Sequence, residues 1–365
     1  MADEKIKEIL KENFEALTSS GIEFTKEKHS VNFFQQDDEV LFSKSFLEGL
    51  EILEIEKALK DSEVKNYLGK GFKILNKDYP TDICGGYFIR VKKSITVEIP
   101  IQACLFLKKR GFKQKVHNIV IVEEDAKVYI ITGCVASQSS KESFHLGISE
   151  FFIKKGGYLN FTMIHSWHKD VKVRPISVAV VEEGGNFVSN YICLKPVKEV
   201  VMYPTAVLKG RNSKASFNSL IMSHSDSYQD IGARVILKEA NTQAEIISRS
   251  VSLGGKIVMR GHLKAESKDV KAHLECRGLV LSDKGSIHAI PELETRFKDV
   301  NLSHEAAIGK ISKDEIEYLR SKGFNEKQAQ SLIIRGFMDV DILGLPEFLK
   351  KEIKNIEENI LKESF

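Results

Sequence analysis

Three residue types near the end of this chain could together bind a soft or borderline metal: the thiol of Cys276, the imidazole of His304 and the carboxylate of Glu305. Glu305 lies 29 residues (305 − 276) beyond Cys276, a spacing that permits a fold to bring them together without requiring it. His304-Glu305 resembles the start of a zincin helix, but no second histidine follows, and Ile308-Gly309 occupies that region, so metalloprotease chemistry is excluded. Strand alternation in Val270-Lys271-Ala272-His273-Leu274-Glu275-Cys276 puts Cys276 on the face of Val270, Ala272 and Leu274, with His273 and Glu275 opposite. That parity suits a core thiol. A ligand role would need Cys276 at a strand end or an interface.

A second reactive thiol is Cys134, which follows Gly133 at the end of the apolar run Val128-Tyr129-Ile130-Ile131. A thiol just after a strand can be reached by a reactant, and burial is the alternative. Downstream comes Ile164-His165-Ser166-Trp167-His168, with the only tryptophan of the chain. On a strand, His165 and His168 point to opposite faces and make a poor chelating pair, whereas Trp167 shares the His165 face as a packed indole. The five cysteines contain no Cys-x-x-Cys pair, and their odd number without a secretion signal speaks against a disulfide framework.

The 365 residues allow one large domain or several smaller ones, with 42% hydrophobic and 29% charged residues, ordinary for a soluble globular protein. Balance between 54 basic and 51 acidic residues argues against a dedicated nucleic-acid binder. No apolar run reaches membrane-spanning length, and the charged N-terminus lacks a signal-peptide core, so a cytoplasmic protein with no membrane contact is expected. No Gly-x-x-x-x-Gly-Lys-Ser/Thr loop and no Gly-x-Ser-x-Gly elbow occur, so the chain is not expected to hydrolyse ATP itself and a serine hydrolase reading loses weight.

Three sections position these residues. Residues 1–75 read as helical: Ile6, Ile9, Leu10, Phe14 and Leu17 share helical spacing before a Ser20-Gly21 stop, and a second pattern covers Phe46 to Leu68 with Leu50, Leu53, Ala58 and Leu59 as core positions. Residues 76–305 are a succession of short β-branched runs separated by turns, among them Gly85-Gly86, Gly156-Gly157, Gly184-Gly185 and Gly254-Gly255. So many strands without an intervening helix suit a solenoid better than a sandwich, although no strict repeat is visible. Residues 306–365 are helical again. Ser312-x-x-Glu315 is a capping box, Gly323 a stop, Asn325 a second start, and Pro346 opens a third helix carrying Phe348, Leu349, Ile353, Ile356 and Ile360. Amphipathic helices at a chain end either cap a solenoid or present a face to a partner.

From about Val116 onward the chain resembles the SufB/SufD family of iron-sulfur cluster assembly proteins, most closely over Ser303 to Arg335, with Ile311-Ser312-Lys313-Asp314-Glu315-Ile316-Glu317-Tyr318-Leu319 and Leu332-Ile333-Ile334-Arg335-Gly336-Phe337. The resemblance implies a mainly β fold, a right-handed parallel β-helix flanked by N- and C-terminal helical regions. It implies a scaffold for assembly and transfer of an iron-sulfur cluster, [4Fe-4S] or [2Fe-2S], and not an enzyme in its own right. Cys276 and Glu305 match the SufB cysteine and glutamate implicated in assembly, and His304 a histidine of both relatives. Cys134 in Thr132-Gly133-Cys134-Val135-Ala136 resembles the cysteine that receives sulfur, while His165 replaces a glutamine common in SufB. Ser303-His304 is closer to SufD wording, so one chain combines features of both and would pair with itself as a homodimer. Implied partners are a SufC-like ABC ATPase docking on the C-terminal helices through Ile316, Leu319, Leu332 and Ile333, a cysteine desulfurase or other sulfur donor, and recipient apo-proteins. Two alternatives remain: a β-solenoid module or enzyme acting on polysaccharide, and a structural SufD-like subunit without its own cluster.

Overall fold

The computed structural model describes residues 2–18, 20–21 and 31–338, with Lys350, Lys351 and Lys354 beyond them. Its centre is a parallel β-solenoid of about 8 turns with helices at the termini. One wall is a ten-stranded sheet whose parallel part runs from Val31–Gln36 and Thr96–Leu107 through Lys127–Ala136, Tyr158–Ser166, Asn186–Cys193, Lys214–Ser223, Gln243–Ser252 and Val270–Val280 to Val300–Gly309. The facing wall ends at Ser286–Thr295 and is broken where Pro175 and Pro204 interrupt the ladder, as a residue without a backbone N–H must. Inward residues of both walls, such as Val128, Ile130, Phe161, Phe187, Val235 and Leu274, form one continuous apolar core.

In-register neighbours on consecutive rungs lie about 30 residues apart, as His165 against Cys193 and Cys134 against His165. The turns repeat with this period. Asp125, Gly156, Gly184, Asn212, Asn241 and Asp269 all have positive φ, and the backbone N–H of each donates to the turn of the next rung. Only glycine, asparagine and aspartate adopt that conformation readily, so one structural position is spelled with three residue types.

The helices among the described residues lie on the flanks of the solenoid and do not cover its C-terminal end. Ala2–Thr18 buries Ile6, Ile9 and Leu17 against Phe34, Phe106 and Val135, and Gly21 (φ 71°) follows it as the expected stop. Phe14 of the same stripe is exposed. Lys313–Ser321 begins at the capping box expected at Ser312, Glu326–Phe337 begins at the expected start Asn325, where Gln328 completes a second capping box, and Ile334 and Met338 pack on the outer face of the ten-stranded wall over Ile164, Ile192 and Leu220.

Two helical expectations are corrected. Within 1–75, Val31–Gln36, Glu39–Ser43 and Leu50–Glu54 are strands, and helix returns only at Ile55–Ala58, Ser62–Lys65 and Lys70–Ile74. Leu50 and Ile52 alternate with exposed Leu53 because this segment pairs antiparallel with Tyr87–Val91, and pairing to an existing sheet overrides a helical spacing. The C-terminal helical region starts at Lys313 and not at 306, since residues 300–309 form the last rung. Pro346, Phe348, Leu349, Ile353, Ile356 and Ile360 lie outside the described residues.

Candidate functional site: the open rung and the buried thiols

Strand parity places Cys276 as the alternation required: with Val270, Ala272 and Leu274 it points into the core, and it is 1% exposed. Burial first, and the nearby Glu275 carboxylate second, push its thiol up to about 11. It sits one rung from the end. The last rung, Val300–Gly309, pairs Leu274 with His304, Glu275 with Glu305 and Cys276 with Ala306. His304 therefore shares the inward face with Cys276, diagonal to it, while Glu305 faces outward.

Among the described residues no strand covers that last rung. His304, Glu305 and Ile308 are exposed, as is Leu293 on the facing wall, so the cross-section of the core meets solvent there. On the outer face the Arg277 guanidinium lies between two carboxylates, 3.0 Å from Glu275 and 3.3 Å from Glu305. Such exposed pairs contribute about 0–1 kcal/mol, so Glu305 is held only lightly. Cys276 and His304 are thus brought to one face and Glu305 is not. Among the described residues no three His, Cys, Asp or Glu side chains gather into a metal-binding group.

Cys134 lies deep in the solenoid, inward and 1% exposed, and burial drives its thiol well above the usual range. It neighbours His165 on the next rung, which neighbours Cys193 on the one after. His165 Nδ1 is 2.9 Å from the Tyr191 hydroxyl, and Trp167 packs between the rings of His165 and His145 with centroids 5.1 and 4.9 Å away. His168 falls in the loop after the strand, 3.4 Å from Asp170, which leaves the two histidines apart as expected.

Burial holds the His145 and His165 imidazoles neutral. Burial lowers His145 to about 3, and burial with the charge of His145 lowers His165 well below the ordinary value. His145 Nδ1 is 2.8 Å from Gln114 Oε1, and Gln114 Nε2 donates to the Asp37 carbonyl, which fixes the amide and makes His145 Nδ1 the donor. A cavity of about 50 Å3 opens beside these groups, lined by Thr132, Cys134, His145, Met163 and Tyr191 among others. His145, Tyr191, Cys193 and Arg277 escaped the sequence reading because only the register of the rungs joins them to Cys134 and Glu305.

Of the positions expected to meet an ATPase, Ile316, Leu319, Leu332 and Ile333 are half-buried, whereas Tyr318 and Phe324 are 62% and 40% exposed. No helix among the described residues is long and apolar enough to cross a membrane.

Residues 105–337 match the SufBD core domain of the SUF system for iron-sulfur cluster assembly. An iron-sulfur cluster assembly SufBD family protein of Archaeoglobus fulgidus is 49% identical over 348 residues, covering 93% of each chain. A second, from Methanothermobacter thermautotrophicus, is 40% identical over 98% of this chain and 90% of its own. The iron-sulfur cluster assembly protein SufB of Bacillus subtilis is 32% identical over 72% of this chain and 57% of its own. A β-solenoid with this match over well more than half its length belongs to the SufBD family of iron-sulfur cluster assembly proteins.

Proposed function

We propose that this chain is a scaffold subunit on which an iron-sulfur cluster is assembled as cargo and then passed to recipient apo-proteins. The observation that carries this reading is the open last rung: an inward-facing His304, diagonal to Cys276, at an edge that no strand or helix among the described residues covers. An exposed ten-residue edge strand offers a row of unpaired backbone groups to a second strand. A second copy docked there about a twofold axis would bring two Cys276, two His304 and two Glu305 residues to one place. Thiolate with imidazole is a known type of cluster ligation, and adding carboxylate suits temporary holding. The Cys276 proton must leave for iron to bind, and Glu305 must give up Arg277.

In this reading Cys134 accepts sulfur. Its sulfur attacks the terminal sulfur of the donor's persulfide, the donor's S–S bond breaks, and the departing thiolate takes the Cys134 proton. No external oxidant or reductant is consumed. A cysteine desulfurase supplies that persulfide. A SufC-like ABC ATPase docks on the C-terminal helices, with exposed Tyr318 and Phe324 next to the half-buried Ile316, Leu319, Leu332 and Ile333.

Anaerobic incubation with a desulfurase, cysteine and ferrous iron tests the assignment. Cys276→Ser is expected to lose most of the iron and acid-labile sulfide that the parent chain retains after desalting. Equal content in both would leave Cys276 a core thiol and contradict the scaffold site.

A further inference from the structure

One basic nitrogen of the interior borders a cavity with no donor to meet it. His145 is 2% exposed and pairs in register with the inward-facing Val173, so its ring points into the solenoid. Gln114 Nε2 donates to the Asp37 carbonyl, which turns Gln114 Oε1 toward His145 Nδ1 and puts the ring proton there. In the neutral ring Nε2 then carries a lone pair. Among the described residues no group donates a hydrogen bond to it. Two residues along the same inward face, Gly147 has no side chain, and a Cβ built there would lie 3.1 Å from Nε2.

Cys134 and His145 lie on either side of one corner of the solenoid, near the end of Lys127–Ala136 and the start of Phe144–Ile153. Both line the cavity of about 50 Å3, as does Gly147, and of its lining side chains His145 alone offers a nitrogen lone pair. The resting thiol does not reach that lone pair, since no hydrogen bond joins the two. An added sulfur lengthens the Cys134 side chain by about 2 Å and carries its own proton. Burial already drives the parent thiol well above the usual range, and the same burial favours the protonated form of an outer sulfur. A buried S–H is a weak donor, and an imidazole nitrogen is the strong acceptor that suits it.

We infer that Cys134 stores its sulfur as a neutral hydropersulfide whose terminal S–H donates to His145 Nε2, in the space that Gly147 leaves open. Gln114 is a positioning residue that keeps the lone pair on Nε2. The inference rests on the reading of Cys134 as sulfur acceptor and adds the form in which the sulfur is held. Its atoms balance without a further reactant. The donor's terminal S–H passes to Cys134 intact, the donor's S–S bond breaks as the new one forms, and the Cys134 proton leaves on the donor thiolate.

Chain labelled with 15N-histidine is loaded by a desulfurase and cysteine, and mass spectrometry after alkylation locates the sulfane sulfur. The Nε2 resonance of His145, identified by its absence from His145→Gln, is expected to move upfield on loading, as a ring nitrogen accepting a hydrogen bond does. It should return when a thiol reductant removes the sulfur. Retention is read as the partition of sulfane sulfur between Cys134 and free glutathione at equilibrium. Gly147→Ala leaves the Gln114 bond in place, and His145→Phe keeps a ring packed on Trp167. Each is expected to lower retention about fivefold, the equivalent of one ordinary hydrogen bond, while His145→Gln preserves it through its amide carbonyl. An unmoved Nε2 resonance with sulfur verified on Cys134, or parent-like retention in folded Gly147→Ala and His145→Phe, overturns the hydropersulfide bond and leaves Cys134 an acceptor. Sulfur found only on other cysteines in the parent chain overturns both.

Discussion

The neutral interior imidazoles make this solenoid acid-sensitive in a calculable way. His145 has an ordinary value of 6.5 when exposed and is lowered to about 3 by burial in the fold. Above pH 6.5 neither state is protonated and His145 contributes nothing to the pH dependence. Below it the unfolded chain takes up a proton that the folded chain refuses, so stability falls until about pH 3, where the folded state also binds it. Over the 1.5 units from 6.5 to pH 5, at about 1.4 kcal/mol per unit, the loss is about 2 kcal/mol, a sizeable part of a typical total stability of 5–15 kcal/mol. His145→Gln removes this contribution and keeps a side chain able to donate to Gln114, at a constant cost of about 1 kcal/mol. Urea unfolding followed by circular dichroism at pH 7, 6 and 5 provides the comparison. The parent is expected to lose about 2 kcal/mol more than the variant between pH 7 and 5, because carboxylates and His165 act in both. Parallel profiles would show that His145 takes up its proton inside the fold and would refute the neutral-interior argument.

Three further outcomes are expected. Iron loading at Cys276, measured by a competing chelator under anaerobic conditions, should rise about tenfold per pH unit between pH 7 and 9, since binding displaces one proton from a thiol raised to about 11; Glu275→Gln should raise loading across that range with the slope unchanged, because burial, the larger cause, still holds the thiol up. Tyr318→Asp with Phe324→Asp should abolish co-purification with a partner ABC ATPase while leaving the melting temperature within a few degrees, because both rings are exposed. Truncation after Gly309 should instead give aggregation, since it also strips Ile334 and Met338, worth about 2 kcal/mol each, from the flank over Ile164 and Leu220.

The solenoid was legible from β-branched runs with turns between them, and the inward orientation of Cys276 from strict alternation. Its repeat was hidden because the recurring feature is a backbone conformation, carried by aspartate at 125 and 269, glycine at 156 and 184, and asparagine at 212 and 241. Knowing that period would have aligned Cys134 with His165 and Cys193, and Glu275 with Glu305. The segment from Val31 to Glu54 was misread because its partners, Gln102 to Phe106 and Tyr87 to Val91, lie tens of residues away and decide its conformation. His304 and Glu305 were singled out together as neighbours in sequence, yet adjacent residues of a strand face opposite ways, and only His304 looks toward Cys276.

Native mass spectrometry of the anaerobically reconstituted chain tests the central claim most directly, because it reads the number of chains and the mass of bound cluster in one ion. Two chains carrying a single cluster are expected, with both the cluster and the pairing reduced when Cys276 and His304 are replaced together. A single chain carrying an intact cluster, or a cluster-bearing pair unaffected by that double replacement, would contradict a site shared across two open rungs.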